Sequence, residues 1–233
     1  MILLIKQLVI VFTLLVAGAG PALAASILPE DPDVCEPFMD GRVNESLLSG
    51  MLSAAAGGHL YRIQPGSSQV GFCVNSALKR IEGNFTEFKG GMTLDSNAAN
   101  NGQTLVLIST DSLDTQSALV RNLLKSESFF DVEKYPDVLF VSNSFAWTGE
   151  KTAIMKGDLT LRGITRPITF DVTLKPAKTG MITVKATATI NRAEFGMDKL
   201  DSVVNGEVQL CLSVEALKFE RISAANTVGG GKS

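Results

Sequence analysis

Between Leu60 and Phe219 apolar and polar residues alternate with a period of two, and this rhythm limits what the chain can fold into. Val70, Phe72 and Val74 alternate with Gly71, Cys73 and Asn75. Val138, Phe140 and Ser142 alternate with Leu139, Val141 and Asn143, and Leu105 and Leu107 open another such run. Ile168, Phe170, Val172 and Leu174 alternate with Thr169, Asp171 and Thr173. Ile182, Val184, Ala186, Ala188 and Ile190 do so with Thr183, Lys185, Thr187 and Thr189, and Val208, Leu210, Leu212 and Val214 with Glu207, Gln209, Cys211 and Ser213. Side chains of a strand point to opposite faces in turn, so each run has one face to bury and one for water. Turn-forming residues at 97–102, 148–149, 163, 176–180 and 205–206 separate the runs. Strands do not alternate with helices, which excludes a parallel sheet. The pattern predicts an all-β fold of about eight antiparallel strands closed into a single barrel, although a two-sheet sandwich shares the period.

Two segments have helical spacing instead. From Asn44 to Ala56 the apolar residues Leu47, Leu48, Met51, Leu52 and Ala55 share a face, and Gly57-Gly58 ends the run. Its polar face has no Lys or Arg, so a helix that plugs or flanks the domain is expected rather than one lying on a membrane. Inside the strand region, Asp114 is placed to cap a helix from Thr115 to Lys125 that carries Leu119, Leu123 and Leu124.

The N-terminal residues have the order of an export signal. Lys6 is the only charge before Glu30, Leu8 to Val16 is apolar apart from Thr13, and Ala22-Leu23-Ala24 has small residues where signal peptidase needs them. The apolar run is short for a membrane span. Cleavage is expected after Ala24, leaving no transmembrane segment and a periplasmic protein. The domain organisation is then a signal peptide at 1–24, an extension with a helix at 25–58, a barrel at 59–219 and a flexible tail at 220–233. Cleavage removes Lys6 and no acid, taking the formal charge from −3 to −4, the wrong sign for a nucleic-acid partner.

Catalytic chemistry has little to work with. His59 is the only histidine. There is no GxSxG and no HExxH, and the glycine-rich Gly229 to Ser233 has no following helix to make a phosphate loop. No catalytic residue, metal or cofactor is expected. The cysteines Cys35, Cys73 and Cys211 form no CxxC, and export favours a disulfide. Cys73 and Cys211 fall on the polar, outward phase of the first and last long strands, which are neighbours in a closed barrel. A Cys73–Cys211 clasp across that seam is expected, with Cys35 bonded to either one as the alternative. By the same alternation Phe72, Phe85, Phe88, Phe140, Phe170 and Leu210 point inward, and the small Ala186 and Ala188 leave room between them. An eight-stranded barrel can fill its interior or hold one ligand, and periodicity leaves both open.

Five motifs occur in a fixed order. Tyr61-Arg62-Ile63 precedes Ser67-Ser68-Gln69-Val70-Gly71-Phe72, and Gly83-Asn84-Phe85-Thr86-Glu87-Phe88-Lys89-Gly90 follows. Ser112-Leu113-Asp114-Thr115, Leu124-Lys125-Ser126 and Phe129-Phe130-Asp131-Val132-Glu133-Lys134-Tyr135-Pro136 form the third set. Gly157-Asp158-Leu159-Thr160-Leu161-Arg162-Gly163-Ile164-Thr165-Arg166-Pro167 and Ile190-Asn191-Arg192-Ala193-Glu194-Phe195-Gly196 close the series. Together they resemble the YceI family over residues 60–217. The resemblance implies a lipocalin-like barrel and a periplasmic, non-catalytic carrier. Its ligand would be a polyisoprenoid, an isoprenoid quinone or another long-chain amphiphile, with the tail inside and the head near the mouth. Asn191, Arg192 and Asp131, which lie in the motifs, are head-group candidates and equally candidates for fixing turns. Two histidines common in the family are replaced here, by Leu123 and at Ser76. The alternative is a structural or protein-interaction barrel with a filled core and no lipid ligand.

Overall fold

The computed structural model describes residues 38, 41–94, 102–176 and 180–219. The expected signal peptide, the start of the extension through residue 37 with Cys35, residues 39–40, and the tail from residue 220 lie outside the described residues.

The strands are β1 Leu60–Ile63, β2 Gln69–Ser76, β3 Arg80–Phe85, β4 Phe88–Thr93, β5 Thr104–Ser109, β6 Leu113–Asp114, β7 Asp137–Trp147, β8 Thr152–Leu161, β9 Ile164–Pro176, β10 Met181–Asn191 and β11 Val204–Lys218. All pair antiparallel in one sheet, in the order β1-β4-β5-β7-β8-β9-β10-β11-β2-β3-β6, and a further pairing of β1 with β11 closes the ring. Several short strands are halves of longer ones. A 3₁₀ turn at Pro65–Ser67 separates β1 from β2, yet both lie along β11. The next strand bends at Thr86-Glu87, so that β3 pairs with β2 and β4 with β1. The third passes through a 3₁₀ turn at Thr110–Ser112, with β5 on β4 and β6 on β3. With each bent strand counted once, the molecule is a closed eight-stranded antiparallel barrel, as the period predicts.

Helix α1, Glu45–Ala56, begins where the sequence places it, because the Asn44 side chain accepts a hydrogen bond from Ser46 N at 2.7 Å. It flanks the barrel rather than plugging it. Leu48 and Met51 pack with Phe38, Val43, Leu60, Leu105 and Leu139 in a cluster outside the wall, and Leu52 is left half exposed. Helix α2, Ala118–Lys125, corrects the expectation for this segment. Ser117, not Asp114, is its cap: the Ser117 hydroxyl accepts from Val120 N at 3.4 Å. Asp114 belongs to β6, where Arg121 Nη1 donates to its carboxylate at 2.7 Å and holds that carboxyl below the usual range. Thr115 and Gln116 precede the helix, and Leu119 points to solvent.

The expected seam clasp is also corrected. Strands β2 and β11 are neighbours, but Cys73 lies opposite Gln209 and Cys211 opposite Gly71. The two cysteines are therefore a diagonal pair rather than directly facing, a wider separation than a facing pair has. Both are free thiols. Cys73 Sγ donates to Gln209 Oε1 at 3.5 Å and accepts from Arg80 Nη2 at 2.6 Å. Burial, and then the adjacent Cys211, push the Cys73 thiol above its ordinary value.

Candidate ligand cavity

The inward faces of the strands meet in a core built around two groups of aromatic rings. Phe130 sits 5.7 Å from Phe72 and 5.6 Å from Phe85, ring centre to ring centre, while Phe140 meets Phe170 edge to face at 5.3 Å. Glycines on neighbouring strands make space for these rings. A Cβ on Gly83 would lie 2.6 Å from the Phe72 ring, and one on Gly157 would lie 2.7 Å from the Phe140 ring. Where the rings and the small Ala186 fail to meet, an apolar cavity of about 190 Å³ remains. This exceeds the roughly 150 Å³ at which an engineered apolar cavity stays dry and accepts benzene.

Of the residues expected to face a ligand, Phe72, Phe85, Phe140, Phe170, Ala186, Leu210 and Arg192 line this cavity. Phe88 and Ala188 are buried in the same core without bordering the space. Asn191 is exposed, and its side chain accepts from Ala193 N at 3.0 Å to cap a 3₁₀ turn at Arg192–Phe195. Asp131 adopts φ 52 in the turn after α2, where its carbonyl accepts from Lys134 N and Tyr135 N.

Arg192 is 2% exposed, and a buried guanidinium must have its donors satisfied. Its Nε donates to Asn205 O at 3.1 Å. Nη1 donates to Met197 O and to Lys199 O, and Nη2 to Val204 O at 3.0 Å and to the Asp201 carboxylate at 2.6 Å. With its N–H groups committed in this way, Arg192 ties down the loop between β10 and β11. Its guanidinium also stacks 5.7 Å from the Phe129 ring.

One end of the cavity lies under this loop and α2. Val120, Leu123 and Leu124 of α2 border it with Phe129, Phe130, Met197 and Val204. Leu123 is at once part of the lining and 42% exposed. The alternation gave no sign of Phe129 and Phe130, because they follow a helix instead of lying in a strand. Met155, Leu159 and Leu161 of β8 were also missed, although they keep the period. Apart from Arg192 the lining offers no charged group, and among the described residues no three His, Cys, Asp or Glu side chains gather to hold a metal.

A family model for the YceI-like domain matches residues 61–216, the whole barrel from β1 into β11. The chain belongs to the YceI-like family. A UPF0312 protein of Pseudomonas putida strain W619 is 37% identical to this YceI-like chain over 143 residues, covering 59% of it and 74% of the relative. A UPF0312 protein of Pseudomonas fluorescens is 33% identical over the same length. Among solved structures, Burkholderia cenocepacia BcnA superposes with a TM-score of 0.62 at 25% identity, covering 66% of this chain and 98% of BcnA. A polyisoprenoid binding domain from Saccharophagus degradans shares the fold with a TM-score of 0.54 at 13% identity, covering 68% of this chain and 98% of that domain. The YceI-like barrel here thus has the lipocalin-like form that the motifs imply.

Proposed function

We propose that the protein is a non-catalytic carrier that holds a long-chain amphiphile, of the polyisoprenoid or isoprenoid-quinone class, with its tail in the barrel and its head near α2. The observation that carries this reading is the apolar cavity at the centre of the core. A barrel serving only as a scaffold gains nothing from such a void, since unfilled space forfeits contacts. The polyisoprenoid-binding name of the Saccharophagus degradans domain supports the ligand class. Apolar burial contributes roughly 25 cal/mol per Å², so an isoprene unit hiding about 100 Å² would contribute about 2.5 kcal/mol before entropic costs. A hydrocarbon tail can therefore bind well in a lining with almost no polar partners. The site of action in this proposal is the periplasm, reached through the leader ending at Ala24. No helix among the described residues is long and apolar enough to cross a membrane.

The test is organic extraction of protein purified from its own periplasm, followed by mass spectrometry of the extract. A stoichiometric long-chain isoprenoid is expected. An extract without lipid, together with failure of the purified protein to take up a polyisoprenoid alcohol, would refute the carrier. Sequencing the mature N-terminus checks the compartment, with Ala25 as the expected first residue.

A further inference from the structure

We propose that the end of the barrel bearing α2 docks on the surface of an anionic phospholipid bilayer, so that ligand moves between membrane and cavity without crossing water. This rests on the carrier reading above and names the source of the ligand.

Five of the eight exposed large hydrophobic side chains among the described residues lie at this end: Leu78 at 96%, Leu119 at 80%, Val203 at 46%, Leu200 at 45% and Leu123 at 42%. Single exposed leucines need no explanation, but a group of them at one end of the barrel does. Leu78 is in the turn between β2 and β3, and Ala77 N donates to Val203 O at 2.9 Å, which fastens that turn to the loop carrying Leu200 and Val203. Leu119 and Leu123 are on α2, where Ser117 and Val120 share a surface depression with Lys79 and Ile81. Of these exposed side chains Leu123 borders the cavity itself, and Val120, Ile81 and Val204, close in sequence to the others, line it as well. The remaining exposed hydrophobics lie elsewhere: Leu52 on α1, and Trp147 and Leu217 toward the opposite barrel end.

The loop is built to hold its leucine outward. Leu200 has φ 62, in the left-handed region that leucine rarely adopts. Its carbonyl accepts from Val203 N and Val204 N at 3.0 and 2.9 Å, and Arg192 holds the flanking Lys199 carbonyl and Asp201 carboxylate.

Charge selects the kind of surface. Residues 77–80, 118–125 and 197–203, which carry the leucines, contain Lys79, Arg80, Arg121, Lys125 and Lys199 against only Asp198 and Asp201. With their partners Glu82, Asp114 and Asp111 counted, this end holds five cations against five acids and is near neutral, where the chain as a whole has a formal charge of −3. Arg80, Arg121 and Lys125 pair with Glu82, Asp114 and Asp111, while Lys79 and Lys199 adjoin Leu78 and Leu200 in sequence and are exposed. Leucines that enter the acyl boundary beside lysines that meet headgroups are the chemistry of interfacial binding to anionic lipid.

Flotation of the full chain with vesicles of phosphatidylethanolamine and phosphatidylglycerol tests the proposal. Wild-type protein should float with them, less so with phosphatidylcholine alone, and less as salt is raised. The variant L78S/L119S/L200N removes apolar surface that the core does not use and places Asn where φ is positive. It should partition about tenfold less or lower while melting as wild type and keeping its extracted ligand. The charge variant K79E/K199E should lose binding to phosphatidylglycerol vesicles without loss of fold, which keeps the test open if the triple variant misfolds. The control L52S/L217S should float as wild type. Wild-type protein that yields lipid on extraction but never floats overturns docking and leaves the carrier intact. Flotation without extractable or bindable lipid overturns the carrier instead. Undiminished flotation of the triple variant, or equal binding to phosphatidylcholine, overturns the proposed surface.

Discussion

The barrel wall has apolar side chains on both sides, and the two sides are packed differently. In β5 and β7, Val106, Ile108, Val138 and Phe140 face inward, while Leu105, Leu107, Leu139 and Val141 face outward beneath α1. The outer cluster is small and filled: Phe38, Met51, Leu60 and Leu105 are each no more than 2% exposed. The inner cluster is far larger and encloses about 190 Å³ of space. Neighbouring residues of the same strands thus meet a helix that closes on them on one side and a void on the other. The fold can fill apolar space where it needs to, so the interior space calls for an explanation other than poor packing.

The largest effect should come from breaking the inner side with charge. Phe140→Asp would bury a carboxylate against Phe170, and it should cost about 4 kcal/mol or more and abolish ligand retention. Urea unfolding and lipid extraction on the same variant check it. On the outer side, Leu105→Ala should cost about 3 kcal/mol by the same unfolding measurement. Ligand uptake should stay near wild type, because the side chain faces α1. Equal loss of uptake would mean that the two regions are one. The inner side can next be filled instead of broken. Ala186→Leu places extra methyl groups in the cavity, so stability should change by less than about 1 kcal/mol while ligand retention falls at least tenfold. At the edge of the outer cluster, Leu52→Glu should move stability by less than about 0.5 kcal/mol, because Leu52 is already half exposed. The finest contrast is chemical and lies on the outer wall away from α1. A maleimide at pH 8 should modify exposed Cys211 well before Cys73, as read by peptide mapping. Raising the pH past 9 should narrow the difference, since the Cys73 thiol is held above its ordinary value.

Much of this was legible in the residues, and the gaps have physical causes. The long strands β9, β10 and β11 kept their alternation along most of their length and were placed correctly, with Phe170, Ala186 and Leu210 facing in. The rhythm failed where the backbone bends. β1 and β2 are parted by a 3₁₀ turn, and β4 contains Gly90, whose hydrogen faces a carbonyl 2.2 Å from where a Cβ would sit. Glycine erases the polarity signal there because backbone must pass. In β7 a register shift between Ser142 and Ser144 resets the phase, so Phe145 is buried after Ser142 rather than exposed. For α1 the apolar stripe said that something must cover it. The surface it covers could have been inferred from Leu105 to Ile108, where apolar residues occupy both phases. Phe129 and Phe130 and the tying role of Arg192 depend on contacts between distant segments, which no local period encodes. The expected disulfide failed on register: the outward phase of Cys73 and Cys211 was right, but a two-residue offset along β11 separates them.

The pairing of β11 with β1 and β2 also sets an order of events. Residue 61 has its partner at residue 218, so the ring cannot shut until nearly the whole domain is available. Contacts so remote in sequence form late and slow folding. A chain that emerges amino end first would therefore pass through an open, curled sheet with its greasy concave side uncovered and the edges of β1 and β2 bare. Such a species invites both chaperone capture and self-association. Shortening the chain before Val204 would trap it there permanently, so the last fifteen-residue strand acts as the latch of the whole molecule.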